Sequence, residues 1–480
     1  MFIGREQELQ FLNDRYNDIN AQLIVLYGRR RIGKTETLRE FCKDKQHVFF
    51  TCNQTTDKLQ LTKFSNQLLK ENIPAKQYIS SFSDWESAFK AITTLPYGES
   101  KKLVVIDEFS YMCQGNKSIP SILQNLWDPY LKDQNIMIIL CGSAMSYIEK
   151  ELLSEKNPLY GRSTGIYKMK EMNFYDSMKF FPNYCDKDKV ITYSILGGIP
   201  HYLKQWDNKL SVKENIKKNI LTKGCVLYSE VEFLLHQELR ETSIYNSIIE
   251  SIAAGKTKLN EINQSSLINS TAKTSVYLKN LMELDIVERQ FSIDVNIKEK
   301  SNNSKGIYHL TDNFFRFWYS FCFPNISELE YGDVDGIYDC LIEPTLDKYA
   351  SYIFEDICID FIREKQKNDE LPFHFTNIDK WFGKTSVRDT TNSKGFRIDE
   401  TEIDLLAYNK LTKDYLVGEC KFKNTPFSYR ELLDTQMKLN LLQEENNFYY
   451  ALFSLSGFDE KIESNKNLLL FNIDEIINYK

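Results

Sequence analysis

The sequence predicts a multidomain α/β chain, with a doubly wound parallel sheet first, a mainly helical middle, and a second α/β domain last. Three observations carry that reading. Four continuously apolar runs mark the first 141 residues, the octapeptide Gly28-Arg29-Arg30-Arg31-Ile32-Gly33-Lys34-Thr35 follows the first of them, and a fresh series of strand-like runs begins near residue 373. A chain of 480 residues is also too long for a single hydrophobic core, so about two to four domains are expected.

The four runs are Leu23–Tyr27, His47–Cys52, Leu103–Ile106 and Ile136–Cys141. Hydrophobicity without alternation suits parallel strands buried on both faces, and the intervals are long enough for crossover helices. This sets the first domain at residues 1–170. The octapeptide is a complete G-x-x-x-x-G-K-[ST] motif in the strand-to-loop context that the motif requires. Gly28 and Gly33 let the backbone bend so that N–H groups along Arg29, Arg30, Arg31 and Ile32 face phosphates. Lys34 would bridge the β- and γ-phosphates and the Thr35 hydroxyl would ligate Mg²⁺. A helix opening at Lys34, Thr35 and Glu36 adds the positive end of its dipole. The expected ligands are ATP and Mg²⁺.

Leu103-Val104-Val105-Ile106-Asp107-Glu108 has the form of a second nucleotide motif. Asp107 would hold Mg²⁺ through water and Glu108 would polarise the attacking water; a cap for the following helix is the competing reading. The next strand ends Cys141-Gly142-Ser143, where Ser143 is either a γ-phosphate sensor or a helix N-cap. Arg162, in Leu159-Tyr160-Gly161-Arg162, is either an arginine finger, in cis or from a neighbouring copy, or an ordinary surface residue.

From residue 171 to 238 the pattern is helical, interrupted by Leu196-Gly197-Gly198-Ile199-Pro200. Residues 239–325 then give a helix over Ser243–Ala254, a short segment at Leu259–Asn263, and an amphipathic helix carrying Val276, Leu278, Leu281, Met282 and Leu284. Two strand-like pieces follow, Ile286–Ile293 and Gly306–Leu310, around the polar loop Asn296–Ser304. That is the order of a winged helix, with Phe314-Phe315-Arg316-Phe317-Trp318 closing its core. Its basic residues, Lys273 and Lys279 on the recognition helix with Lys298 and Lys300 in the wing, leave DNA contact and a purely regulatory packing role equally open.

The last domain, residues 340–480, is expected to hold a helix from Asp347 to about Arg363, strands near Phe373–Phe375, Glu402–Tyr408, Tyr415–Lys421 and Tyr449–Leu455, and a helix over 428–442. Asp404 lies on one strand, and Glu419 and Lys421 lie on the next. On a strand Glu419 and Lys421 point to the same face. Short E-x-K patterns recur at Glu99–Lys101 and Asp459–Lys461, so the placement of Asp404 on a hairpin partner is what distinguishes this one. Charges alternating along a half-buried sheet are the alternative.

Bulk composition bounds the rest. Apolar residues make 42% of the chain and charged residues 26%, and the net charge is −7, so no global basic field points to nucleic acid or a membrane surface. Six Lys/Arg balance six Asp/Glu across 402–440, which counts against strong non-specific DNA binding there. The ten cysteines show no C-x-x-C pair and no zinc spacing, as expected of reduced thiols. No apolar stretch is long enough to span a bilayer and no signal-peptide core opens the chain, so a cytoplasmic protein is expected.

These motifs resemble the prokaryotic AAA-related and STAND-like ATPases. Phe2-Ile3-Gly4-Arg5-Glu6 with Leu9 is similar to that group's opening box, and Gly198-Ile199-Pro200 is similar to its G-x-P element. The resemblance places Pro200 on the adenine side of the nucleotide. Over nearly its full length the chain resembles the archaeal-type ATPase family, which joins this ATPase and a helical lid to a winged helix and a nuclease-like C-terminal domain. The C-terminal strands resemble the PD-(D/E)xK core, a restriction-endonuclease-like fold, with Ile403 where the signature has proline. That resemblance implies Asp404 and Glu419 as metal ligands and Lys421 as charge stabiliser. Glu355 would be a further carboxylate and Gln436 a substrate-orienting group. The reading is an ATP-dependent switch or motor coupled to a nuclease-like domain acting on nucleic acid. Its rival is a signalling ATPase whose C-terminal domain binds a partner without cleaving it. Candidate partners are DNA and a second copy of the chain.

Overall fold

Five strands form the N-terminal sheet: β1 (Gln22–Tyr27), β2 (His47–Thr51), β3 (Lys102–Asp107), β4 (Ile136–Gly142) and β5 (Gly165–Lys168). All neighbours run parallel, in the order β2-β3-β4-β1-β5. The computed structural model describes residues 2–295, 299–300, 306–388, 396–438 and 446–479. Two compact units divide the chain. The first comprises Met1–Lys179 and Gly198–Lys204, and the second Phe180–Gly197 and Gln205–Lys480. The span 171–238, expected as one helical lid, is shared between them.

The apolar runs became strands because each strand must satisfy two cores. In β1, Leu23, Val25 and Tyr27 face one core while Ile24 and Leu26 face the other. The first core is filled by Phe64, Trp85 and Phe89 from the helices Asp57–Leu69 and Trp85–Ala91, with ring centroids 5.5–5.6 Å apart. The second is filled by Leu12 of α1 (Glu6–Asn17) and by Leu38 and Phe41 of α2 (Lys34–Cys42). Each fully buried aliphatic or aromatic side chain contributes about 1.5–3 kcal/mol, so the sheet's position is set by burial on both sides. The carboxyl ends of β1, β3 and β4 then open on one edge, where ligands of such sheets bind.

In the second unit α4 (Thr242–Ala253), α5 (Leu259–Ser265) and α6 (Thr271–Glu283) precede the antiparallel pair β6 (Val287–Gln290) and β7 (Ile307–Leu310); α3 is Phe109–Gly115 in the first unit. Phe314, Phe315, Phe317 and Trp318 are buried, and the Trp318 indole N–H donates to the Tyr228 carbonyl at 3.1 Å. Lys273 and Lys279 are exposed on α6, and Lys300 lies 5.8 Å from the Phe291 ring centroid; Lys298 lies outside the described residues.

The C-terminal part begins with α7 (Leu346–Lys367), whose buried Ala350, Ile353, Phe354, Ile357, Phe361 and Ile362 recur at helical spacing. It continues with β8 (Asn377–Arg388), β9 (Phe396–Asn409), β10 (Asp414–Lys421), α8 (Tyr429–Lys438), β11 (Asn447–Ser454) and β12 (Leu468–Asn472). The sheet order is β12-β11-β10-β9-β8. Strands β8, β9 and β10 form an antiparallel meander, and β10, β11 and β12 are parallel. The strand expected at Phe373–Phe375 is not formed. The Phe375 N–H is taken by the Gln366 side chain at 2.8 Å, and the ladder starts only at Asn377 opposite Tyr408. The helix expected over 428–442 is described over Tyr429–Lys438, and 439–442 lie outside the described residues.

One irregularity positions chemistry. Asp379 pairs with Leu406 but Trp381 pairs with Ile403, so Asp404 and Leu405 together face the single residue Lys380. This is a β-bulge, a device that re-aims side chains. Among the described residues no helix is long and apolar enough to cross a membrane.

Candidate functional site

The loop between β1 and α2 is bent by residues in the left-handed or glycine-only regions, Gly28 (φ 155°), Arg31 (φ 72°) and Gly33 (φ 90°). Gly28 admits no side chain: a Cβ there would stand 2.3 Å from the Met169 carbonyl oxygen. Lys34, only 6% exposed, opens α2. Its ammonium donates to the Gly28 carbonyl at 2.7 Å and the Arg29 carbonyl at 2.8 Å. Burial pulls the Lys34 pKa below the ordinary lysine value, while Cys141, Glu108 and Asp107 pull it back up.

The Thr35 hydroxyl donates to the Asp107 carboxylate at 2.8 Å, which joins the phosphate loop to the end of β3. Cys141 on β4 hydrogen-bonds the same Asp107, and complete burial holds the thiol protonated. Glu108 sits at φ 52° before α3 and makes no capping bond to it. Its Oε2 instead accepts from the Ser143 hydroxyl at 2.8 Å and the Ser143 N–H at 3.3 Å. The residue capping the helix after Ser143 is Ala144. The capping alternatives for Glu108 and Ser143 therefore do not describe this geometry; the two residues hold each other across the tips of β3 and β4.

Several supports join the loop from elsewhere in the unit, through contacts that motif reading did not give. Arg5, 5% exposed, donates to the Ile32 carbonyl at 2.7 Å and the Lys170 carbonyl at 2.8 Å, and pairs with Glu8 at 2.7 Å. The opening box thus braces the phosphate loop. Arg30 donates to the Tyr111 hydroxyl at 3.4 Å. Gly198 packs on backbone, since a Cβ would fall 1.8 Å from the Met172 carbonyl oxygen, and Gly198 O accepts from Met172 N at 2.8 Å. That approach sets Pro200 beside the loop, its Cγ 3.6 Å from where Gly33 would carry a Cβ. Burial, with the charges of Arg31 and Lys204, pushes His201 down to about 4. Glu36 is exposed and pairs loosely with Arg39 at 3.4 Å. Arg162 forks onto Asp128, at 2.8 Å through Nη2 and 3.1 Å through Nε, and Nη1 donates to the Pro158 carbonyl at 2.9 Å.

The donor set suits a nucleoside triphosphate and its cation. Thr35 and Asp107 present hard oxygens at one point, and Lys34 with the N-terminus of α2 presents positive charge.

The C-terminal carboxylates are arranged differently from expectation. Asp404 Oδ2 accepts from the Cys420 N–H at 2.8 Å. Leu405 pairs with Gly418 at the last step of the ladder between β9 and β10, so Asp404 and Glu419 each lie one residue beyond it, with Glu419 and Lys421 on one face of β10. Lys421 donates to Glu419 at 2.7 Å. Glu355 on α7 accepts from Lys380 at 2.7 Å, and Lys380 stands 3.1 Å from Asp356. Burial, reinforced by the charges of Asp404 and Glu402 and opposed by Lys380, pushes Glu355 up to about 7. Gln436 is exposed on α8. Among the described residues no three His, Cys, Asp or Glu side chains are grouped so as to hold a metal ion. Glu355, Asp404 and Glu419, the expected metal set, instead each accept from a donor of their own. Those donors are respectively the Lys380 ammonium, the Cys420 N–H and the Lys421 ammonium. Lys380 was missed in the sequence, where a lone lysine beside Ile378 and Trp381 gives no signal.

Comparison with known proteins follows the same division. Residues 2–206 match a family of ATPase domains found predominantly in Archaea, and residues 318–435 match a family of archaeal and bacterial proteins of unknown function. An uncharacterized protein of Methanocaldococcus jannaschii is 32% identical over 483 residues, covering 99% of this chain and 100% of its own. An uncharacterized ATP-binding protein of the same organism is 48% identical over 46 residues, 10% of this chain and 78% of its own. A Walker-type ATPase of Pyrococcus abyssi aligns with 66% of this chain and 96% of its own at 18% identity and a TM-score of 0.50, a likeness of fold.

Proposed function

Because the chain belongs to the same family as the full-length Methanocaldococcus jannaschii relative, with an ATPase domain of the archaeal type at residues 2–206, we propose that it is an ATP-hydrolysing switch whose second unit binds a partner without cleaving it. The observation that carries the first half is the contact of Thr35 with Asp107 at 2.8 Å beneath the phosphate loop. In this reading the amides at the start of α2 and the Lys34 ammonium hold the β- and γ-phosphates. Thr35 and Asp107 would hold Mg²⁺, which would supply charge neutralisation at the phosphates. Glu108 takes the proton of the attacking water, and Ser143 restrains that carboxylate until a γ-phosphate oxygen competes for its hydroxyl. Arg162 acts as a finger after leaving Asp128. The wild-type chain should bind and hydrolyse ATP in Mg²⁺; failure to bind ATP would remove the premise.

The second half rests on the pairing of Glu355 with Lys380 and of Glu419 with Lys421. Three helices followed by an antiparallel pair support a winged-helix module over α4 to β7, and exposed Lys273 and Lys279 make DNA its candidate partner. A second reading, nuclease-like cleavage of nucleic acid, is favoured by Asp404 and Glu419 each lying one residue past the Leu405–Gly418 pair that ends the β9–β10 ladder. Mg²⁺- or Mn²⁺-dependent cleavage that disappears in Asp404→Ala, with ATP hydrolysis unchanged, would establish it over the non-cleaving reading.

A further inference from the structure

Lys380 is 2% exposed, the most enclosed lysine among the described residues of its sheet. A buried ammonium is retained only where charge and hydrogen bonds compensate its lost hydration. Here the compensation is threefold. Glu355 accepts from Nζ at 2.7 Å, Asp356 stands at 3.1 Å, and the Tyr352 ring centroid lies 4.1 Å away. The bulge in β9 spreads Asp404 and Leu405 across from this one residue. Asp404 acts electrostatically on Glu355. Lys380 thus joins Glu355 to the bulged segment that carries Asp404, and its ammonium occupies the Glu355 carboxylate.

We propose that Lys380 is the resident cation of this acidic face, so that the site accepts no divalent ion while the Lys380–Glu355 pair is closed. The inference rests on the non-cleaving reading of the second unit and gives its cause. A divalent ion needs several carboxylate oxygens at once, and an ammonium that cannot leave to solvent competes for the same oxygens at permanent local concentration. Sequence resemblance to a metal-dependent nuclease core and the chemistry of the folded face therefore disagree at Glu355, and one lysine from the preceding strand accounts for the disagreement there.

The test is Mn²⁺ binding, followed by titration calorimetry and by the paramagnetic signal of the free ion, on full-length protein without nucleotide. Ions held by the ATPase unit cancel when proteins differing only at Asp404 are compared. Wild type and Asp404→Asn should bind Mn²⁺ identically. Lys380→Met, which keeps the stem and removes the charge, should gain a site with a dissociation constant of about 10⁻⁴ M or tighter, lost again in Lys380→Met/Asp404→Asn. If Lys380→Met does not fold, the wild-type and Asp404→Asn pair still decides. A Mn²⁺ site in wild type that Asp404→Asn abolishes would overturn the assignment of Lys380. If that site does not cleave nucleic acid, the non-cleaving reading survives; if it does, both fall.

Discussion

Replacing Glu108 by glutamine separates the chemistry of the ATPase site from its architecture. Glu108 Oε2 accepts from both the hydroxyl and the N–H of Ser143. Glutamine keeps an acceptor oxygen on a side chain of the same length, so the link between the tips of β3 and β4 persists. Lys34, Thr35 and Asp107 are untouched, and ATP affinity should stay within about threefold, which is less than about 0.7 kcal/mol. What is lost is basicity, since an amide cannot take a proton from water. A positioned general base contributes about 10²–10⁴ in rate, equivalent to about 2.7–5.4 kcal/mol of barrier. Single-turnover phosphate release by full-length Glu108→Gln should fall by about 10²-fold or more, while calorimetry reports unchanged ATP binding. Release within about threefold of wild type, at unchanged affinity, would show that the carboxylate is a structural link and that the base lies elsewhere.

Other perturbations read other parts of the site. Lys34→Ala should abolish measurable ATP binding in calorimetry, because the loop loses its only lysine and the phosphates lose its charge. Arg5→Ala leaves Glu8 buried without its partner and frees the Ile32 carbonyl. It should cost about 3–5 kcal/mol in denaturant unfolding and weaken ATP binding together with it. His201 has a folded pKa of about 4, below its ordinary value near 6.5. Its contribution is therefore fully present above about pH 6.5 and is lost as pH falls toward 4, when the unfolded chain binds the proton first. Discounted for partial solvent access, this is about 1–2 kcal/mol; thermal unfolding of His201→Gln should be flatter than wild type across that window.

What was legible in the sequence was local. A phosphate loop has fixed spacing, and strands buried on both faces are apolar almost throughout, so β1, β3, β4 and residues 28–35 could be found without a structure, and the edge strand β2 through Val48-Phe49-Phe50. β8 could not. Its polar start, Asn377-Ile378-Asp379-Lys380, belongs to an edge strand of a mixed sheet, and the alternating Phe373-His374-Phe375 beside it imitated a strand whose N–H group Gln366 takes instead. Pairings across long sequence separations were equally hidden. Nothing local joins Arg162 to Asp128, Cys141 to Asp107, or Lys380 to Glu355. In the C-terminal face those hidden partners decide the chemistry, because a carboxylate's use depends on which donor reaches it first.

The interleaving of the two units bears on how such a protein can be divided. Residues 198–204 belong with the ATPase unit, whereas 180–197 and 205 onward belong with the other. A cut at residue 179 removes the proline segment beside Gly33 from the phosphate loop. A cut at residue 206, where the family match ends, strips 180–197 from the unit that owns it. A cut at any single point between 179 and 206 therefore separates at least one segment from the unit it packs with. The Methanocaldococcus jannaschii relative, aligned from end to end, carries the whole interleaved stretch.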